Sequence, residues 1–97
     1  KLRWDLTHVR ALESVLAVST WGAQKYEAWN WWKGIPWSRM FASAMRHLWA
    51  WWRGEDDDPE SGLPHLAHAA WNLLGVLEFA LNGRGDLDDR PMIGIRP

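Results

Sequence analysis

Residues Gly54–Asn72 read GEDDDPESGLPHLAHAAWN, and the fold turns on how this stretch is parsed. It opens with five carboxylates in six residues, Glu55, Asp56, Asp57, Asp58 and Glu60. Ser61, Gly62 and Pro64 then mark the start of a helix, because Ser can cap it and Pro is tolerated in its first turn. From there His65, His68 and Asn72 fall at i, i+3 and i+7 and share one helical face. Leu66, Ala69, Ala70, Leu73, Leu74, Leu77 and Leu81 supply the apolar face expected to bury the helix. Two imidazoles and a carboxamide beside a carboxylate-rich loop can bind a hard or borderline divalent cation. The plainer reading is a solvated acidic turn followed by a helix whose histidines merely border the core. It accounts for each half alone, and the abutment of the two halves favours a site.

Upstream, a helix is predicted from Trp37 or Ser38 to Arg53, stopped by Gly54. Arg39, Arg46 and Arg53 recur every seven residues and share a stripe with Ala42 and Trp49; Met40, Ser43, His47 and Ala50 form the neighbouring stripe. Either the Arg and Trp side chains clamp a phosphate and stack a base, or Arg faces water while Trp packs inside. Asn30–Pro36, NWWKGIP, is a connector broken by Gly34 and Pro36. Before it, Thr7 can cap a helix running to about Glu27, with Val9, Leu12, Leu16, Ala23 and Tyr26 on one side. Glu13 is either a surface residue or a ligand reaching across a bundle. Gly22 is consistent with close approach of another helix or a substrate.

Downstream, the third helix runs from about Leu63 to Leu81 and ends at Asn82-Gly83-Arg84-Gly85. Residues 84–97 form an irregular tail, extended on a neighbour or disordered. No strand or internal repeat is evident. The expected fold is all-α, one domain over residues 1–97, a three-helix antiparallel unit completed into a larger bundle by oligomerisation.

Ten tryptophans in 97 residues are more than so small an interior can bury, so some should line an interface or a ligand cleft. Without Cys there is no disulfide frame and no thiolate chemistry. No apolar run reaches membrane-spanning length and no signal peptide is visible, so a cytoplasmic location is expected. The net charge of −1 argues against bulk electrostatic binding to a nucleic acid polymer. Lys25, Lys33, Arg39, Arg46 and Arg53 nevertheless precede the acidic loop with only Glu27 among them, a distribution that can hold a phosphate ester with its metal.

The strings ALESVLAVSTWGAQKYEAWNWWKG (Ala11–Gly34) and RHLWAWWRGEDDDPESGLPHLAHAAWNLL (Arg46–Leu74) resemble the phage dATP/dGTP diphosphohydrolase family. That family in turn resembles the MazG and MazZ all-α nucleotide pyrophosphohydrolases, whose helical ExxE and ExxD pairs hold Mg or Mn against a triphosphate. This chain departs from that pattern: Glu13 stands alone, Gln24 takes the first place of the one candidate pair with Glu27, and His65-x-x-His68 lies where ExxD would be sought.

The resemblance implies metal-dependent hydrolysis of a purine nucleoside triphosphate to monophosphate and pyrophosphate in phage nucleotide metabolism. The setting would be the host cytoplasm, the protein a dimer or tetramer. On that reading Asp58, Glu60, His65 and His68 hold Mg or Mn, and Glu13 and Glu60 serve the chemistry. Lys25 and Arg46 neutralise phosphate, Asn30 or Asn72 bonds base or sugar, and Trp21, Trp29 and Trp31 stack on the base. His47 is either a phosphate donor or a core histidine paired with Ser43. The competing classes are a non-catalytic protein that sequesters a nucleotide and a helical assembly module with a tryptophan-rich interface.

Overall fold

The computed structural model describes residues 1–91. It contains three helices, α1 (Val9–Lys25), α2 (Trp37–Trp52) and α3 (His65–Leu81), with short 3-10 turns at Trp4–Leu6, Asn30–Lys33 and Gly85–Leu87. No strand occurs among the described residues, only an isolated bridge between Asp57 and Pro64. The fold is all-α, as the periodicity predicts. Among the described residues, no helix is long and apolar enough to cross a membrane.

Helix α3 lies against both others and runs antiparallel to each. Going up α3, His65 meets His47, Asn72 meets Ser43, and Gly75 meets Met40, so α2 is read backwards. Toward α1, His68 meets Trp21 and Trp71 meets Ser19, again in reverse order. Gly75 leaves room for the Met40 side chain of α2, which a Cβ there would overlap. The close approach expected at Gly22 does not occur within the chain, where a Cβ would meet open space.

Two helix starts differ from the sequence expectation. Neither Thr7 nor Ser61 caps a helix: the residues preceding α1 and α3 are His8 and Pro64, and neither supplies a side-chain cap. At α3 the backbone serves instead, with the His65 amide donating to the Asp56 carbonyl at 2.8 Å, which frees the Ser61 hydroxyl for other work. The start of α2 is capped from a distance. Asp89 accepts from the Ser38 amide at 2.8 Å and from its hydroxyl, so part of the tail is folded back onto α2. Gly34, at φ +117°, gives Arg84 and Leu87 room to pack there, and the Arg90 guanidinium lies 5.3 Å from the Trp37 ring. The rest of the predicted tail, 92–97, lies outside the described residues.

Among the described residues, the buried apolar ones are Val18, Met40, Ala44, Ala67, Ala69 and Phe79. The leucines of α3 are not among them: Leu66, Leu73, Leu74, Leu77 and Leu81 are 45–74% exposed, whereas His65, His68 and Asn72 are 4–7% exposed. This overturns the expected orientation of α3. The physical reason lies on α2, whose inward stripe Met40, Ser43, Ala44, His47 presents two polar groups to the polar stripe of α3. Leu12 and Leu16 of α1 are exposed as well.

Candidate active site

The last turns of α2 bring His47 to face the first turn of α3, and the loop between them folds Asp58 in beside the pair. His47 Nδ1 and His65 Nδ1 are 2.8 Å apart. The His47 ring stacks on His68 at 4.6 Å with an 8° interplanar angle. Ligand atoms of His47, Asp58 and His65 all fall within 4.8 Å of one another. His68 Nε2 is 3.8 Å from an Asp58 oxygen and shares a 2.7 Å hydrogen bond with the Ser61 hydroxyl. Trp21 closes the α1 side, its ring edge-on to His68 at 5.4 Å. His65 Nε2 bonds the Glu55 carboxylate at 2.6 Å.

The electrostatics favour uncharged imidazoles. Burial lowers the His47 pKa below 6.5, reinforced by the neighbouring His68 and His65; burial also lowers that of His68, against the opposing pull of Asp58. Both rings are therefore neutral near pH 7, with lone pairs available to an electrophile. For Asp58, burial alone would raise the pKa. Hydrogen bonds from the Ser61 amide and hydroxyl outweigh it and hold the carboxyl below its usual range, so it is a carboxylate.

The donor set fits a divalent ion: two imidazole nitrogens and one carboxylate converge, and none is a surface-only acid. It differs from the set expected from sequence in three members: His47 enters, and Glu60 and His68 drop out, His68 Nε2 being bonded to Ser61. His47, expected as a phosphate donor or a core partner of Ser43, joins the cluster, and Ser43 bonds Asn72 instead. Glu60, expected among the metal ligands, makes an exposed salt bridge with Lys25, so two residues given separate roles hold each other.

The other expected site residues are more spread out. Glu13 is exposed on α1, eight residues (about 12 Å at 1.5 Å per residue) before Trp21, so the fold of one chain does not bring it to the cluster. Arg46 is exposed beside His47. The Asn72 amide donates to the His68 carbonyl at 2.9 Å and to Ser43 at 3.2 Å, which makes it a brace between α3 and α2. Asn30 begins the 3-10 turn that carries Trp31 and Trp32.

Trp29 and Trp31 do meet in one place. With Trp32 and Trp71 they wall an open cavity of about 770 Å³ between α1 and α3, floored by Val15, Ser19 and Gly75. Trp29 adopts a left-handed conformation at φ 63°, uncommon for so bulky a residue. On α2, the residues Trp49, Trp51 and Trp52 rim a shallower hollow of about 250 Å³ while Arg39 and Arg53 face water, so neither reading of the Arg/Trp stripe applies as a whole.

Sequence reasoning missed Glu55 as the partner of His65 and Ser61 as the partner of His68. The available signal was the match between two polar stripes, Ser43/His47 on α2 and His65/His68/Asn72 on α3, which only make sense facing each other.

Fold and site together define a small all-α protein with a part-buried histidine–carboxylate cluster beside a tryptophan-walled cleft. The family described as dATP/dGTP diphosphohydrolase, N-terminal, matches residues 1–90, and the chain belongs to that family. It is 38% identical over 86 residues to a dATP/dGTP diphosphohydrolase of Salmonella phage PMBT28, an alignment covering 89% of this chain and 29% of that protein. The chain thus spans less than a third of the relative's length. No solved structure matches it significantly.

Proposed function

We propose that this chain hydrolyses purine deoxynucleoside triphosphates to the monophosphate and pyrophosphate in phage nucleotide metabolism, with a divalent metal ion. The observation that carries the reading is the juxtaposition along α3 of a part-buried imidazole–carboxylate cluster with an aromatic cleft. His68 and Gly75 are seven residues apart, about 10 Å along the helix axis, a span suited to a nucleotide with its base at one end and its phosphates at the other. A cavity of this volume is of the size that takes a small organic ligand. The relative's name supplies the purine triphosphates as the substrate class.

His47, His65 and Asp58 would hold the ion, which when bound supplies charge neutralisation at the phosphates and an acidified water. The chain's own residues do the rest. Trp29 and Trp31 stack on the base and exclude water from its faces. Lys25 lies over the Trp21 ring at 5.1 Å, close to the cluster, and exchanges Glu60 for a phosphate oxygen when substrate arrives. Arg46 adds a second cation from α2. Glu13 serves catalysis only if a second copy brings it across a subunit boundary. Such a boundary is provided by α3, where Leu66, Ala70, Leu73, Leu77 and Leu81 repeat at spacings of four, three, four and four and form an apolar seam for another copy of this chain.

The test is product identification. Purified protein is incubated with dATP, dGTP, dCTP and dTTP in turn, with Mg(II) or Mn(II), and followed by ³¹P NMR. The expected outcome is pyrophosphate plus monophosphate, faster for the purines, with affinity lowered in Trp31→Ala. Tight binding without turnover under any metal would replace hydrolysis with nucleotide sequestration.

A further inference from the structure

We infer that the cluster is a two-histidine, one-carboxylate centre for a borderline transition-metal ion, such as Mn(II), Co(II) or Zn(II), and that it selects against Mg(II). The ligand atoms are His47 Nδ1, His65 Nδ1 and an oxygen of Asp58, with Glu55 as the group that orients His65. This shares its residues with the hydrolytic reading but stands without it, because it concerns ion binding in the absence of nucleotide.

The hydrogen-bond pattern fixes the tautomers. Glu55 is a carboxylate and can only accept, so His65 Nε2 carries the proton in their 2.6 Å bond. In the tautomer with its one hydrogen on Nε2, His65 has its lone pair on Nδ1. His47 Nδ1 lies 2.8 Å from that nitrogen and must supply the hydrogen between them. A dication replaces this shared proton: His47 moves its hydrogen to Nε2, and both Nδ1 lone pairs then point at one centre. Two nitrogens about 2.1 Å from a shared ion sit about 3.0–3.4 Å apart at octahedral or tetrahedral angles, so the rings need open only slightly from 2.8 Å.

The arrangement of Glu55 on the far nitrogen is what a metal-bound imidazole requires. A ligating histidine commonly donates its other N–H to a carboxylate, which fixes the ring and raises its basicity. Asp58 is held in turn by the Ser61 amide at 3.0 Å. His68 stands outside the ligand set: its Nε2 bonds Ser61, and its ring lies flat against His47 and limits that ring's rotation.

Ion preference follows from donor chemistry. Mg(II) demands oxygen ligands and retains its waters, whereas imidazole suits Mn, Co and Zn and becomes more favourable along that series. Two of the three inward donors here are imidazoles, and the remaining acids of the loop, Asp56, Asp57 and Glu60, are exposed.

The experiment uses chelator-treated protein without nucleotide. Calorimetric titrations with MnCl₂, ZnCl₂ and MgCl₂ are paired with ¹H–¹⁵N spectra of the histidine rings, His8 serving as an internal control remote from the cluster. The expected result is one Zn(II) or Mn(II) per chain, bound at least about 100-fold more tightly than Mg(II). The Nδ1 signals of His47 and His65 should shift, His65 Nε2 should stay protonated, and His68 should move little. Glu55→Ala should weaken binding about 10–100-fold. Mg(II) affinity equal to that of Mn(II), ring signals that stay still, or Zn(II) seen first at His8 would each overturn the assignment. The wild-type spectra decide the matter even if a variant fails to fold. Absence of metal binding contradicts this centre and the ligand assignment of the proposed reaction, whereas metal binding without hydrolysis contradicts only the proposed reaction.

Discussion

The two faces of α3 break the ordinary rule in opposite directions. One face puts His65, His68 and Asn72 into the interior at 4–7% exposure; the other leaves five leucines 45–74% exposed. Burying a leucine side chain is worth about 1.5–3 kcal/mol, and a buried polar group costs unless it is bonded. A lone chain of this size gains nothing in stability from that exchange. The inversion makes sense if the polar face is kept inside for chemistry and the leucine face is covered by something outside the chain. Stability and function are assigned to opposite sides of one helix, a division consistent with sites being where local rules are broken.

The polar face should give the largest effect. Asp58→Asn keeps an acceptor for the Ser61 amide but removes the negative ligand, and turnover should fall by about 100-fold or more. Single-turnover rates at saturating nucleotide measure it; a loss below about threefold would put the chemistry elsewhere.

Next comes the leucine face. Leu73→Asp with Leu77→Asp places charge on the proposed seam, and each lost contact should cost about 1.5–3 kcal/mol of association. Light scattering should show the wild type as an assembly and the double variant as a monomer of unchanged helicity, since both side chains are already exposed within one chain. A wild type that is monomeric at micromolar concentration contradicts the division.

A smaller effect belongs to Asn72, which is on the polar face yet acts as a brace. Asn72→Ala removes its bonds to His68 and Ser43 and should lower stability by about 1–3 kcal/mol, with Tm down by several degrees. Nucleotide affinity should change little. A large affinity loss at unchanged Tm would instead make Asn72 a contact to base or sugar.

The smallest concerns the surface. Glu60→Gln breaks an exposed pair with Lys25 and should leave Tm unchanged within error, because such pairs contribute little. It should also free Lys25 and tighten nucleotide binding. Weaker binding together with lost turnover would return Glu60 to the metal.

The sequence made the helices legible because Gly54, Gly83 and the NWWKGIP connector punctuate a strong 3.6-residue period, and their bounds were within reach of local rules. Which side of α3 faces inward was not. Composition assigns leucines to the core, and only the pairing of His47 with His65 and of Ser43 with Asn72 reverses that, a tertiary fact carried by pairs 18 and 29 residues apart. Asp58 and His65 could be singled out because the acidic loop abuts the histidines. Glu55 could not be distinguished from its neighbours, since five carboxylates within six residues look alike until a backbone turn aims one of them. Asp89 could not be foreseen as a cap either, being 51 residues from Ser38.

The most direct test asks whether the buried histidines serve the site or the fold. His65→Leu swaps a polar core group for an apolar one of similar size, with Glu55 free to turn to water. Urea unfolding and pyrophosphate release from dGTP are measured side by side on wild type and variant. The expected result is an unfolding midpoint at or above wild type together with hydrolysis reduced to background. A variant destabilised by more than about 2 kcal/mol that still hydrolyses dGTP at the wild-type rate would show that the cluster is a structural core.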